Sequence, residues 1–221
     1  MRRLVGSSGP RQWSLVKVQA EMAIRPGEEW GTSIDGVETA PLCVTDLEVG
    51  AVISAGGEPL VRGGDLHRAV GAPQQGEATR RLPIDLMIVR DLATGTEVGR
   101  AVSAVIIRRR SLLGWLRGPV TVIGNVEFVR GRQVLPRAHP NDGLLDRIDV
   151  DGGMSARQRI YALSRSRVGN HLPHPGLSVS RGERFTLRVE SGCHALLDGR
   201  AVELRDQVVV EVAPDGGHIL A

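Results

Sequence analysis

His171-x-x-His174, taken with His139 and Asp142, is the first set of side chains whose types could do chemistry, as nitrogen and oxygen ligands to a metal ion. Pro173 and Pro175 bar the helical i, i+3 geometry that would aim the two histidines at one point, and no cysteine stands at zinc spacing. A loop with ordinary histidines is the simpler reading. The second set is Arg108-Arg109-Arg110 and Arg117, which flank Leu112-Leu113-Gly114-Trp115-Leu116. Arginines beside an apolar hairpin tip suit peripheral contact with an anionic membrane or lipid, through Arg108, Arg109, Arg110, Trp115 and Arg117. A solvated strand end with the Trp tucked beneath it is the alternative. The third is Gly63-Gly64-Asp65, a glycine-rich turn that leads into a short helix. No Gly-x-x-x-x-Gly-Lys-Ser/Thr is present, and no Ser-His-Asp or Cys-His nucleophile has supporting context.

The elements that must position these groups are mostly strands. Residues 13–24 alternate apolar and polar, which predicts a half-buried strand, and Asp35-Gly36 suits a tight turn. Thr45 to Ala55 carries a cap, apolar spacing and a terminal Gly, so a short helix is expected there. The Gly-rich turn at Gly63-Gly64 leads into another short helix, and Gln74 to Thr79 reads as a linker. Beyond it, strands are expected over residues 84–90, 101–108, 120–129, 177–180, 185–190, 195–197 and 208–212, separated by turn signals such as Asp198-Gly199. One helix is expected from Ser155 to Ser166, with Ala156, Ile160 and Leu163 on its apolar face. The fold class is therefore mainly β, a β-sandwich with one inserted helix and a small N-terminal α/β remnant. The expected division is residues 1–80 and 81–221.

Composition limits the function classes. Aromatics are 3% of the chain, too few for the stacking platforms that hold single-stranded nucleic acid, so no nucleic-acid partner is expected. The net charge of +3 comes almost wholly from arginine, with Lys17 the sole lysine, a bias that a GC-rich genome also produces. Cys43 and Cys193 imply no disulfide framework. The first eight residues lack an apolar run after their arginines, and no stretch is long enough to span a bilayer; a cytoplasmic protein is the default expectation.

The most specific segment is Gly124-Asn125 followed by Val134-Leu135-Pro136-Arg137-Ala138-His139-Pro140-Asn141-Asp142-Gly143-Leu144-Leu145-Asp146. Its Pro-x-Ala and Asp-Gly-Leu-Leu-Asp resemble the C-terminal domain of the diacylglycerol and sphingosine kinase family, relatives of the NAD kinases. The resemblance continues in order through the helix, Gly169-Asn170-His171, and Leu197-Asp198-Gly199, over roughly the last hundred residues. It implies a Mg²⁺ ion held weakly, for structure rather than catalysis, by the Asp142 carboxylate and the carbonyls of His139 and Leu144. Pro59, Gly63, Asp65, Arg68 and Gly71 fit the family's Gly-Thr-x-Asn-Asp-x-Ala-Arg loop, with Gly64 in place of Asn and the Thr missing. An ATP contact through Gly63, Gly64, Asp65 and Arg68 would thereby be weakened.

Two departures bear on activity. The family's Gly-Gly-Asp-Gly-Thr motif is not found, and its Asp-Gly-Glu, whose Glu resembles a general base, reads Asp198-Gly199-Arg200 here. A guanidinium cannot take a proton. Glu203 is expected on the opposite strand face from Arg200. The resemblance thus implies a degenerate lipid kinase that binds a lipid, a phosphorylated small molecule, a partner chain or a second copy. The alternatives are an ATP-dependent phosphotransferase completed by a partner, a structural β module, or a chain whose start was cut short.

Overall fold

Runs of Val and Ile alternating with polar residues fold into strands, and the computed structural model describes residues 30–34, 37, 39–71, 79–111 and 113–221. The expected strand over residues 13–24, the Asp35-Gly36 turn and residues 74–78 of the linker lie outside the described residues. In chain order the elements are β1 (Thr32–Ile34), β2 (Leu42–Cys43), α1 (Asp46–Ser54), β3 (Leu60–Val61), α2 (Gly64–Val70), β4 (Thr79–Asp91), β5 (Glu97–Ala101) and β6 (Ala104–Arg109). There follow β7 (Val120–Gly124), β8 (Phe128–Val129), β9 (Arg132–Gln133), β10 (Leu145–Val150), α3 (Ala156–Arg165) and a 3-10 turn (Ser166–Val168). The chain ends with β11 (Leu177–Gly182), β12 (Arg184–Arg188), β13 (Cys193–Leu197), β14 (Arg200–Val202) and β15 (Gln207–Leu220).

Two sheets form the body. One has the order β1-β4-β15-β3-β2, with β12 also on β15 and β5 also on β4; the other runs β11-β10-β7-β6-β13-β14. They face each other across Met87, Val89, Ile107, Ile123, Leu145 and Val210. The sequence Ala104-Val105-Ile106-Ile107 shows why this is a sandwich with a further layer. Val105 and Ile107 point to the inter-sheet core, whereas Ala104 and Ile106 join a second cluster with Val120, Val122 and Ile148 on the outer face. Because α3 covers that outer face, both faces are apolar and the strand reads as a continuous hydrophobic run.

The N-terminal elements complete the first sheet. β2 and β3 pair in parallel, and β3 pairs in parallel with the end of β15. α1 starts at a Thr45–Glu48 capping box and packs Val49 and Ile53 with Val61, Leu66, Ile84 and Ile219. Residues before and after position 80 therefore share one sheet and one core, and position 80 itself lies inside β4.

Several elements depart from expectation for local reasons. The segment expected as one strand over 101–108 is broken at Val102-Ser103, whose N–H groups turn aside to Asp198. The run over 120–129 ends at Gly124, and β8 pairs instead with β9. β10, placed between β7 and β11, was not expected, because Asp146, Arg147 and Asp149 break its apolar pattern. β15 passes Pro214 through a bulge between Ala213 and Gly217 and runs on to Leu220. There Asp85 Oδ1 accepts the Asp215 N–H at 3.0 Å, replacing ladder bonds lost at the bulge. In α3 the apolar face is not the expected one: Arg159 and Ala162 are buried, while Ile160 and Leu163 are exposed.

Candidate functional site

The parallel strands β2 and β3 each run into a loop and then a helix, and ligands of α/β units bind at the carboxyl ends of such strands. The two loops touch. A Cβ on Gly63 would lie 2.3 Å from the Val44 carbonyl oxygen, and Gly64 has φ +88 with a Cβ position blocked by the Asp46 carboxylate at 2.2 Å. Both positions therefore need glycine. Asp46 Oδ2 and Oδ1 accept the N–H groups of Asp65 and Leu66 at 2.9 and 3.1 Å. The amides that open α2 are thus already bound by an internal anion. Asp65 accepts N–H groups from Arg130 and Gly131 across the β8–β9 turn at 2.5 and 2.7 Å, and Arg68 stacks over Phe128 at 5.8 Å. Each of the four expected nucleotide-loop residues sits in a contact within the chain.

On the far side of the same cleft lies the β13–β14 hairpin, a two-residue turn with Asp198 at φ 48 and Gly199 at φ 92. Asp198 accepts the N–H groups of Val102, Ser103 and Ala104 at 2.7, 3.0 and 3.0 Å, and the Ser103 hydroxyl at 2.9 Å. Burial outweighs these four donors and, with a smaller push from Asp46, raises the Asp198 carboxyl to about 6. Burial likewise raises Asp46. The cleft has a volume of about 280 Å³, with Thr45, Asp46, Gly64, Asp65, Arg130 and Asp198 in its wall. Arg200 is exposed beside Gly99 and does not line it. Glu203 lies beyond β14 and pairs with Arg110, so it does not take a base's place either.

Next to the cleft is an apolar cavity of about 300 Å³ between the outer face of the second sheet and α3. Val120, Val122 and Ile148 floor it, and Trp115, Ala162 and Leu163 wall it. Val129 and Arg130 border both spaces, so the cavity and the cleft adjoin there. Arg159 closes one side of the cavity, with its guanidinium spent on the carbonyls of Met154, Trp115, Gly118 and Asp151 at 2.9, 3.3, 2.5 and 2.6 Å.

The Asp142 loop lies on another side of the sandwich. Arg181 pairs with Asp142 and, at 3.2 Å, with Asp146, while Asp142 also accepts the Leu144 N–H at 3.0 Å. Burial raises both carboxyls and Arg181 opposes that rise; burial lowers His139. As placed, these residues do not fit a bound Mg²⁺: the one carboxylate is already neutralised by a guanidinium, and Leu144 turns its N–H to that carboxylate. Among the described residues no three His, Cys, Asp or Glu side chains come together as a metal set, so His171 and His174 do not join it. Arg181→Met is expected to destabilise the fold by about 2 kcal/mol in urea unfolding, since the half-buried Asp142 loses its counter-charge and the buried Asp146 keeps only Arg137 at 3.8 Å. Millimolar Mg²⁺ should recover part of that loss in the variant and leave the wild type unmoved. A rise of the wild-type midpoint with Mg²⁺ would count against this arrangement.

Residues 105–220 match the YegS C-terminal NAD kinase beta sandwich-like domain. The chain belongs to that family. Two solved structures of proteins assigned as diacylglycerol kinases, both from Bacillus anthracis str. Sterne, share the fold of this YegS-type chain. Each has a TM-score of 0.54 and 12% identity over 77% of this chain and 72% of the other. At that identity the likeness is one of fold. Among curated proteins none matches.

In this YegS-type sandwich the arginine-rich tip is largely satisfied. Arg108 stacks on Trp115 at 5.5 Å and Arg109 faces Glu190 at 3.5 Å, while Trp115 is half-buried and Arg117 is exposed. The residues that sequence reasoning missed are Asp46, Ser103 and the cavity lining. Asp46 was hidden as a helix-start residue, although Thr45, not Asp46, is the cap. The cavity has no sequence signal except one: α3 carries Ala162 where a larger apolar residue would have filled the space.

Proposed function

We propose that this protein binds a lipid, with acyl chain in the apolar cavity and polar head at the cavity's rim beside Arg130 and Arg132, and does not transfer phosphate by itself. The observation that carries this reading is the cavity of about 300 Å³, walled by aliphatic side chains and bordered by Arg130 where it meets the cleft. That volume is at the small end of ligand sites, and apolar walls with a few polar groups at one end are what an amphiphile requires. Arg130 and Arg132 supply positive charge at the rim, suited to a phosphorylated or otherwise anionic head. Membership of the lipid-kinase-like family supports the same class of ligand.

Two features argue against phosphoryl transfer by this chain alone. The position resembling the family's base is Arg200, which cannot accept a proton. The α2 amides hold the Asp46 carboxylate, which repels rather than cradles a phosphate.

Titration with a fluorescent long-chain lipid probe below its micelle concentration tests the binding half. Ala162→Phe, which fills the cavity from α3, is expected to weaken probe binding at least tenfold with little change in the unfolding midpoint. Unchanged affinity would remove the cavity from consideration. Transfer of labelled phosphate from ATP to diacylglycerol by the purified chain would overturn the other half.

A further inference from the structure

We propose that the outer face of α3 and the 3-10 turn after it is a docking surface for an anionic phospholipid bilayer; this rests on the lipid-binding reading, because the inner face of the same helix walls the cavity. From Ser155 to Val168 the chain carries Arg157, Arg159, Arg165 and Arg167 and no acidic residue. Arg159 and Ala162 turn inward. At about 3.6 residues per turn, Arg157, Ile160, Tyr161 and Ser164 then share the outward side.

Ile160, Tyr161 and Val168 are 56%, 58% and 65% exposed. Single exposed apolar residues are ordinary, but three large ones along a 13-residue basic segment make a patch. Nor does the helix depend on a partner for its start, since Ser155 and Gln158 form a complete capping box. Arg165 stacks on the Tyr161 ring at 5.5 Å and donates to its hydroxyl at 3.1 Å, holding the ring on the surface. Leu113 extends the patch at 48% exposure, on the turn that Arg159 ties to α3 through Trp115 and Gly118.

Charge identifies the occupant. On the sheets Arg81, Arg90, Arg100, Arg109, Arg147 and Arg181 have carboxylate partners, as does Arg110 just past β6. Arg157, Arg165 and Arg167 take part in no ion pair among the described residues. A short basic segment with aliphatic and Tyr side chains outward meets the needs of a negatively charged headgroup layer, in which the apolar residues enter the acyl boundary and the arginines meet phosphate. It also sets Leu163, which lines the cavity, at the bilayer surface, so a lipid could pass between the two without crossing bulk water.

The test is co-sedimentation of the full chain with vesicles of phosphatidylcholine alone and of phosphatidylcholine with phosphatidylglycerol. Binding is expected only to the anionic vesicles and to fall at least tenfold in half-molar salt. The double variant Ile160→Ser, Tyr161→Ser, at positions more than half exposed, should keep its unfolding midpoint and lose docking at least tenfold; Arg157→Glu with Arg167→Glu should do the same. Equal sedimentation with both vesicle types, or an unaltered double variant, would overturn the proposal. So would a dimer in light scattering that the serine variant dissociates, without vesicle binding, because the face would then belong to a second copy. Probe titration of the cavity separates the two readings. Loss of docking with normal probe binding in the serine variant is the expected pattern, whereas wild-type docking without probe binding would sink the cavity reading and leave this one standing.

Discussion

Asp198→Ala is expected to lower the free energy of unfolding by about 4 kcal/mol, three N–H groups losing their acceptor at roughly 1–3 kcal/mol each. For a chain of this size that shifts the midpoint by about 10 °C. The size of the effect follows from what the carboxylate does: it turns the chain between β5 and β6 by holding the N–H groups of Val102, Ser103 and Ala104. Asp198→Asn keeps one acceptor oxygen and removes the titration, so the pair of proteins also isolates a pH effect. Burial holds the Asp198 carboxyl at about 6 in the folded state, above its ordinary 3.8. The native state therefore keeps this proton longer as pH rises. Its contribution is complete below pH about 4 and lost as pH passes about 6. The stability of wild type minus Asp198→Asn should accordingly rise by about 1 kcal/mol between pH 7.5 and pH 5. His139, His171 and His194, lowered by burial, pull the other way in both proteins and cancel in the difference. A difference that is flat, or that grows toward alkaline pH, would show that Asp198 titrates elsewhere.

Much of this sandwich was legible because its strands are coded locally. Val105 to Ile107 and Val208 to Val210 are β-branched runs, and the family resemblance follows Asp142-Gly143, Gly169-Asn170 and Asp198-Gly199, positions where the backbone itself is constrained. Gly143, Gly169, Asp198 and Gly199 all have positive φ. What failed to show was whatever depends on partners distant in sequence. β10 alternates charges because Arg147 and Asp149 pair with each other and Arg147 stacks on Phe185. The bulge at Pro214 is legible only once Asp85, 130 residues before Asp215, is seen to hold it. In α3 the expected face placed Ile160 and Leu163 inward by hydrophobicity. The fold turns Arg159 inward instead, since four backbone carbonyls are there to receive it. Similarly, the Gly63-Gly64-Asp65 turn read as a phosphate loop because its glycines are real steric requirements. The group that requires them is the neighbouring Val44–Asp46 loop.

Arg159→Met should have an effect of similar size, about 3–5 kcal/mol, since it removes a buried guanidinium that donates to four wholly or partly buried backbone carbonyls. The residue is 5% exposed, and burial lowers its pKa, with Asp151 opposing weakly. No carboxylate touches the guanidinium; backbone oxygens from two segments, at Trp115 and Gly118 and at Asp151 and Met154, do the work of a counter-ion. Methionine matches the aliphatic length and keeps the hydrophobic contact with the cavity wall, so the loss reads the hydrogen bonds rather than a void. Because the bonds tie α3 to the turn carrying Trp115, the variant should open locally before it unfolds globally. Amide exchange is expected to quicken first in α3 and residues 113–118, with β4 and β15 still protected. The same loosening should weaken lipid-probe binding, since α3 and Trp115 are two walls of the cavity. Uniform loss of protection across both sheets, with the probe still bound at wild-type affinity, would mean that α3 is held by something other than Arg159 and that the cavity does not need it.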